Sequence, residues 1–368
     1  MNLNIHLGHD LDGDPVIWEA RGNAHLTITG QSGQGKSYKL SDMILQLAKQ
    51  GVHTIVLDGS GEYGRDASGK PPAWPPKGTR FLNISSPELP IGTFFQWALP
   101  SGIMESQEQC ARRAAGMLQH LFTLGSNQYY LLKEVCTDCL VYSGCLSFSQ
   151  IINQLTEMAQ DVLDAESDIP LTEAREAKLA ASLLPRLDIL ADFPETNPDW
   201  FNAFTKPGTT IVDIQDISDP YLLKNILEVL LSNLWTHKIR SSSACPLVLV
   251  FDECQDLNFK SGSILDRILR KGRKHDIAGW FSTQWFKNTE MTQALGQSAC
   301  DLCFRPARRD YKKTAALLAP NDQDLYRDCM EALSQLEPGK FFFYNKEEPI
   351  LVDGWDTEEE ARDKGMPP

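Results

Sequence analysis

The clearest chemistry in this sequence lies in one short stretch. Gly30, Gln31, Ser32, Gly33, Gln34, Gly35, Lys36 and Ser37 satisfy every fixed position of the pattern G-x-x-x-x-G-K-(S/T). Glycines in such a loop let the backbone wrap close to a polyphosphate, so that consecutive N–H groups and the start of a following helix face the anion. The lysine reaches the outer phosphates and the hydroxyl ligates Mg²⁺, roles that fall here to Lys36 and Ser37. ATP and Mg²⁺ are the cofactors this implies.

Whether such a loop binds or also hydrolyses depends on its acids. Residues 247–251, LVLVF, are an apolar run ending in Asp252 and Glu253. A buried strand would deliver Asp252 at its carboxyl end to hold the Mg²⁺ shell, while Glu253 polarises the attacking water. Alone, a strand followed by two acids is commonly a strand meeting solvent; beside the loop, the pair favours a hydrolase over a switch, a kinase or a passive binder. Residues 279–284, GWFSTQ, form a second short strand, ending in Gln284. Ligands collect at the carboxyl ends of parallel strands, so Gln284 could sense or orient the γ-phosphate, although a polar residue there also caps turns. Arg273 and Arg305 are candidates to stabilise transition-state charge, against the alternative of surface ion pairs.

The elements that must position these groups follow from periodicity. Residues 4–7, 15–18 and 25–29 read as short strands, and Leu40, Met43, Ile44 and Leu47 after the loop repeat as one helix face. Residues 53–57 form the next buried-type strand, completing a strand, loop, helix, strand unit. Between residues 106 and 191 helical periodicity replaces strand signals. Strands resume at 209–214, 247–251, 279–283, 299–304, 340–344 and 350–352. A long helix with a broad stripe through Leu222, Ile226, Leu230 and Leu234 follows the first of them and suits packing on a sheet. The fold class is therefore α/β: a RecA-like P-loop NTPase with a central β-sheet flanked by helices and an inserted all-α subdomain. The expected divisions are an N-terminal core part at 1–105, a helical insertion at 106–200, a C-terminal core part at 201–355 and a flexible acidic tail at 356–368.

Composition narrows the class. A chain of 368 residues with 42% hydrophobic and 23% charged content has the mix of a globular enzyme. The N-terminus has no secretory signature and the apolar runs are too short to span a bilayer, so a cytoplasmic protein without a membrane partner is expected. Nine cysteines, an odd number, give no disulfide framework. Cys136, Cys139, Cys145, Cys300 and Cys303 could hold zinc, but the pairs fall on a helix and in a strand with no histidine beside them, which favours buried thiols. A net charge of -14 argues against a surface that coats nucleic acid. Two basic clusters, Arg267 to Lys274 and Arg305 to Lys313, could still touch a phosphate backbone or could be solvated helix faces.

The segments HLTITGQSGQGKS, TIVLDGSGEYG, LVLVFDECQDL, GRKHDIAGWFSTQ and LEPGKFFFYNKEEPILVDGW resemble, in sequence and order, the ATPase core of the HerA/FtsK superfamily. The marks are Asp58, Glu62 and Tyr63 after the second core strand, the Asp252–Glu253 pair, Gly272-Arg273-Lys274 and Thr283-Gln284. The resemblance implies a homo-oligomeric, usually hexameric ring that draws double-stranded DNA through its pore, with Lys36 and Ser37 on phosphate and Mg²⁺, Glu253 as catalytic carboxylate, Gln284 as sensor and an arginine acting on a neighbour's ATP. HerA proteins carry a β-barrel before the loop, and FtsK and coupling proteins carry membrane segments, neither of which is seen here. The expectation is a motor core within a multi-subunit system, such as DNA processing with a nuclease or an anti-phage complex. The alternative is an ATP-dependent scaffold that assembles or gates an effector without moving DNA.

Overall fold

The computed structural model describes residues 1–64, 72, 74–98, 101–164, 170–204, 206–240 and 245–354. The expected acidic tail at 356–368 lies outside them, as do residues 65–71 of the Pro- and Gly-rich stretch. The chain divides into two compact units, one of Met1–Asn83, Phe204–Ser218 and Ala244–Pro368, the other of Ile84–Ala203 and Asp219–Ser243.

The first unit is built on one sheet. Its strands are β1 (Asn2–His9), β2 (Pro15–Arg21), β3 (Leu26–Thr29), β4 (His53–Asp58), β5 (Arg80–Asn83), β6 (Gly208–Asp213), β7 (Leu247–Phe251), β8 (Ile277–Thr283), β9 (Cys300–Phe304), β10 (Lys340–Tyr344) and β11 (Ile350–Asp353). They lie in the order β2-β1-β11-β10-β9-β3-β8-β7-β4-β6-β5. From β9 to β5 all neighbours are parallel; from β9 to β2 they are antiparallel. Strands β3, β4, β7, β8 and β9 are buried at every position, as the unbroken apolar run of β7 suggests, whereas β2 alternates buried and exposed residues. The short β5, with no fully buried residue, was not among the expected strands. The α/β fold class expected from the sequence is the one observed.

Helix α1 (Lys36–Lys49) buries Leu40, Met43, Ile44 and Leu47. Its neighbouring face does something the periodicity did not show. Gln46 accepts from the His6 N–H at 2.8 Å and donates to the His6 carbonyl at 2.9 Å, and Gln50 does the same for Asn4 at 3.0 and 2.7 Å. These backbone groups lie on the edge of β1 that β11 leaves unpaired, since β11 registers with β1 only at His9 and Asp353. The match has a geometric basis: four residues of helix rise about 6.0 Å, and two residues of strand about 6.8 Å.

The second unit is helical, with α2 (Gln107–Phe122), α3 (Ser126–Ser143), α4 (Phe148–Asp164), α5 (Leu171–Leu187) and α6 (Pro220–Arg240). A capping box starts α2: Ser106 Oγ accepts from Gln109 N while Gln109 Oε1 accepts from Ser106 N. Helix α6, whose stripe suggested a sheet partner, groups with this helical unit. It buries Asn225, Glu228, Asn233 and His237 as well as its leucines, so it is enclosed on more than its apolar side, and Asn233 donates to the Pro90 carbonyl at 2.7 Å.

The first unit closes with α7 (Ile264–Lys271), α8 (Thr289–Leu295), α9 (Tyr311–Leu318) and α10 (Gln323–Gln335). Ala315, Leu318, Cys329 and Leu333 of α9 and α10 pack on Cys303, Phe342 and Tyr344. None of the nine cysteines forms a disulfide, and among the described residues no group of three or more His, Cys, Asp or Glu side chains is arranged to hold a metal ion. Burial pushes the Cys136 and Cys300 thiols well above their usual range and Cys303 up to about 12, as desolvation does to thiols packed among apolar residues. Among the described residues no helix is long and apolar enough to cross a membrane.

Candidate nucleotide-binding and hydrolytic site

Strand β3 lies between β8 and β9, with Thr29 opposite both Thr283 and Cys303. The loop is anchored to these neighbours as it leaves the sheet: Gly30 N donates to the Thr283 carbonyl at 3.3 Å and Gln31 N to the Arg305 carbonyl at 3.0 Å. Gly30 has φ 150°, and a Cβ on it would come within 2.6 Å of Phe304 Cβ, so β9 closes this position to any side chain. Gly35, in the left-handed region at φ 90°, starts α1. Lys36 is buried, and its Nζ donates to the Gln31 carbonyl at 3.0 Å, across the loop. Burial lowers the Lys36 pKa, while the charges of Glu253, Asp252 and Glu62 oppose that shift. The ammonium is thus tied to the loop and lies within the electrostatic reach of three carboxylates.

Asp252 is the first residue beyond β7, which lies beside β8 and β4. It is 7% exposed. Burial pushes its carboxyl up to about 6, against hydrogen bonds from Ser60 and Ser282. Glu253 has left-handed geometry, φ 56° and ψ 47°, a non-glycine conformation that costs roughly 1–2 kcal/mol. In this turn Glu253 Oε1 accepts from Gln284 Nε2 at 2.7 Å and Oε2 from Gln255 Nε2 at 2.5 Å. Asp58 organises the turn after β4: Oδ1 accepts from Gly61 N at 2.8 Å and from the Ser60 hydroxyl, Oδ2 from Tyr63 N at 3.1 Å. Tyr63, fully buried and edge-on to Trp74, is close enough to Ser37 and Asp252 for both to act on its hydroxyl, which burial holds well above the usual range.

The structure therefore brings Lys36, Asp252, Glu253 and Gln284 to one edge of the sheet, with Ser37 on the first turn of α1. The arginines separate. Arg305 follows β9 on this same edge, and its Nε approaches the Tyr311 hydroxyl at 3.5 Å. Arg273 precedes β8, at the amino end of a parallel strand, and is exposed beside Gly22; it is not at the loop of its own chain. Arg270, in the same basic cluster, is paired with Asp266 at 2.5 Å. Sequence reasoning missed Gln255, Ser60 and Ser282. Ser60 and Ser282 sit next to marked positions, whereas nothing local in the sequence singles out Gln255. A groove of about 600 Å³ lined by Phe286, Asn288, Thr292 and Lys313 opens beyond β8, and none of the expected phosphate-binding or catalytic residues lines it.

The residues fit Mg²⁺. A buried carboxyl pushed up by desolvation is an oxygen ligand whose ionised form gains from a cation, so Asp252 and Ser37 would hold the ion, which polarises phosphoryl oxygens when bound. Asp252 must be ionised to do so, and its protonated form dominates below about pH 6. The affinity for Mg²⁺–nucleotide should be flat above about pH 7 and fall about tenfold per unit below pH 6. Calorimetry at pH 7.5, 6 and 5 checks this, with Asp252→Asn expected to bind weakly and to lose the slope.

Comparison with known proteins places this geometry. The family described as "Helicase HerA, central domain" matches residues 22–234, more than half of the chain. No curated protein matches it. The structure of VirB4 of Thermoanaerobacter pseudethanolicus superposes with a TM-score of 0.70 at 16% identity, covering 97% of this chain and 98% of that one. The bacterial conjugative coupling protein TrwB, unbound, gives 0.61 at 14% identity over 94% and 88%, and TrwB in complex with ADP and Mg²⁺ gives 0.60 at 15% over 98% and 92%. At these identities the likeness speaks for the fold, and the family match covers the loop. The chain belongs to the HerA central-domain family, within the HerA/FtsK superfamily of P-loop ATPases.

Proposed function

We propose that this chain hydrolyses ATP with Mg²⁺ and works as a cytoplasmic ring motor, expected to be hexameric, that binds and translocates double-stranded DNA as the ATPase subunit of a system with a nuclease or other effector. The observation that carries the hydrolytic part is the Glu253 carboxylate held by Gln284 at 2.7 Å, next to the buried Lys36 of the phosphate loop. An acid fixed there can take a proton from water while the loop holds the phosphates. TrwB, a likeness in fold, holds ADP and Mg²⁺ in one of its structures, which supports the choice of ligand. The motor part rests on family membership and on the arginines: Arg305 faces the chain's own loop edge, while Arg273, exposed on the opposite edge, suits contact with a neighbouring copy or with DNA.

The test is ATP turnover with and without duplex DNA, at low and moderate salt, with electron microscopy in the presence of an ATP analogue. Turnover stimulated by DNA, salt-sensitive DNA retention and a ring with density in its pore are expected. Absence of any turnover would overturn the hydrolytic reading. Hydrolysis and ring formation without DNA stimulation or retention would instead select the second reading, an ATP-dependent scaffold that gates an effector. The net charge of -14 and the commitment of Arg270 to Asp266 favour that alternative.

A further inference from the structure

Glu253 is gripped from both sides, and one of the two donors has no role so far. Gln284 reaches Oε1 from the end of β8; Gln255 reaches Oε2 at 2.5 Å from the 3-10 turn Cys254–Asp256 that directly follows Glu253. Gln255 is buried, 9% exposed, so its amide is not a surface group that happens to lie against a carboxylate. Its carbonyl Oε1 lies 3.3 Å from the Thr283 hydroxyl, whose single proton faces both this oxygen and the Trp285 carbonyl at 2.8 Å. The orientation of the amide follows from Glu253 itself: turned over, its carbonyl oxygen would face a carboxylate oxygen at 2.5 Å, and two acceptors repel at that distance. The left-handed turn at Glu253 is what lets a residue two positions along reach back to it.

We infer that Gln255 is a positioning residue for the Glu253 carboxylate, and that Gln255 and Thr283 couple it to the end of β8, where Gln284 also starts. With both oxygens held by amides, the carboxylate has a fixed plane, and the lone pairs left over point in fixed directions for a water molecule. Gln284 alone would leave the carboxylate free to rotate about its own χ3, a broad torsion. This inference rests on the hydrolytic reading of the site, and it assigns Gln255 to orientation of the base, not to binding of the nucleotide.

The experiment compares wild type, Glu253→Gln, Gln255→Met and Gln255→Glu under identical conditions, recording kcat and KM for ATP from pH 6 to 9, affinity for a non-hydrolysable ATP analogue, and thermal melting. Gln255→Met keeps the volume and removes the donor; kcat should fall about 10- to 100-fold, the range for a lost hydrogen bond to a charged group, with KM and analogue affinity within about twofold. Gln255→Glu sets a second carboxylate against Glu253, so its kcat should be lower still at pH 8 and should recover as pH falls and the introduced carboxyl regains a proton to donate. Wild-type kcat in Gln255→Met, or a rise in KM with kcat unchanged, overturns the proposal. So does a Gln255→Glu pH profile parallel to wild type, which would reduce Gln255 to a packing role. If wild type shows no turnover, or Glu253→Gln retains it, the hydrolytic reading is what fails, and the positioning role falls with it.

Discussion

Glu253→Gln should lower ATP turnover by about 100- to 10,000-fold, the usual contribution of a positioned general base, while leaving nucleotide affinity within about twofold. The change keeps size and shape and removes the carboxylate proposed as the proton acceptor. It also sets the new amide against two existing amide donors, Gln284 Nε2 and Gln255 Nε2, so one of these two neighbours must turn over to avoid a donor-to-donor contact. That rearrangement is local, because Gln284 is only partly buried. The backbone of the loop and the Lys36 contact with the Gln31 carbonyl, proposed to hold the phosphates, do not involve the substituted atom. Steady-state turnover and calorimetric binding of ATP decide the matter: undiminished turnover would mean that Glu253 is not the base.

Gly30→Ala should be the most damaging small substitution in the loop, lowering stability by roughly 2–4 kcal/mol and weakening nucleotide binding with it. Two costs combine. The backbone at φ 150° is open to glycine and strained for any other residue, and the added methyl would sit 2.6 Å from Phe304 Cβ and 3.2 Å from Phe304 C. The obstacle is strand backbone, not the tip of a flexible side chain, so relief requires β3 and β9 to part where Gln31 N bonds the Arg305 carbonyl. Gly33→Ala is the control. It also has a positive φ, 75°, but nothing lies within 4 Å of the added methyl, so roughly 1 kcal/mol is expected. Thermal or denaturant melts of the two variants should differ clearly; equal loss would show that β9 does not restrict the loop.

What could be read in advance was what is encoded locally or by period. The loop pattern, the apolar run of β7 with its two acids, and the α1 repeat of Leu40, Met43, Ile44 and Leu47 each sit within one element. The α/β class followed from them. β5 escaped because four half-buried residues give neither alternation nor a continuous apolar run. α8, α9 and α10 escaped because their apolar faces are short; α9 buries only Thr314, Ala315 and Leu318. Gln255 was invisible because its contact depends on the left-handed turn at Glu253, a backbone choice that a glutamate does not advertise. The separation of Arg273 from Arg305 needed strand direction: in a parallel sheet, a residue before a strand and one after it stand on opposite edges. The long stripe of α6 was read as packing on a sheet, but a stripe fixes only that a face is buried, and the helix groups with the helical unit.

Gln46 and Gln50 have a consequence for how the chain can change. Two amides on successive turns of α1 act as the teeth of a key cut to the spacing of Asn4 and His6. A single-residue deletion in β1 would present the opposite edge to these teeth, and a deletion of two would restore the fit. The N-terminal hairpin is therefore locked in phase with the helix that carries Lys36, and a replacement hairpin from another protein would have to arrive in the same phase or bring its own helix.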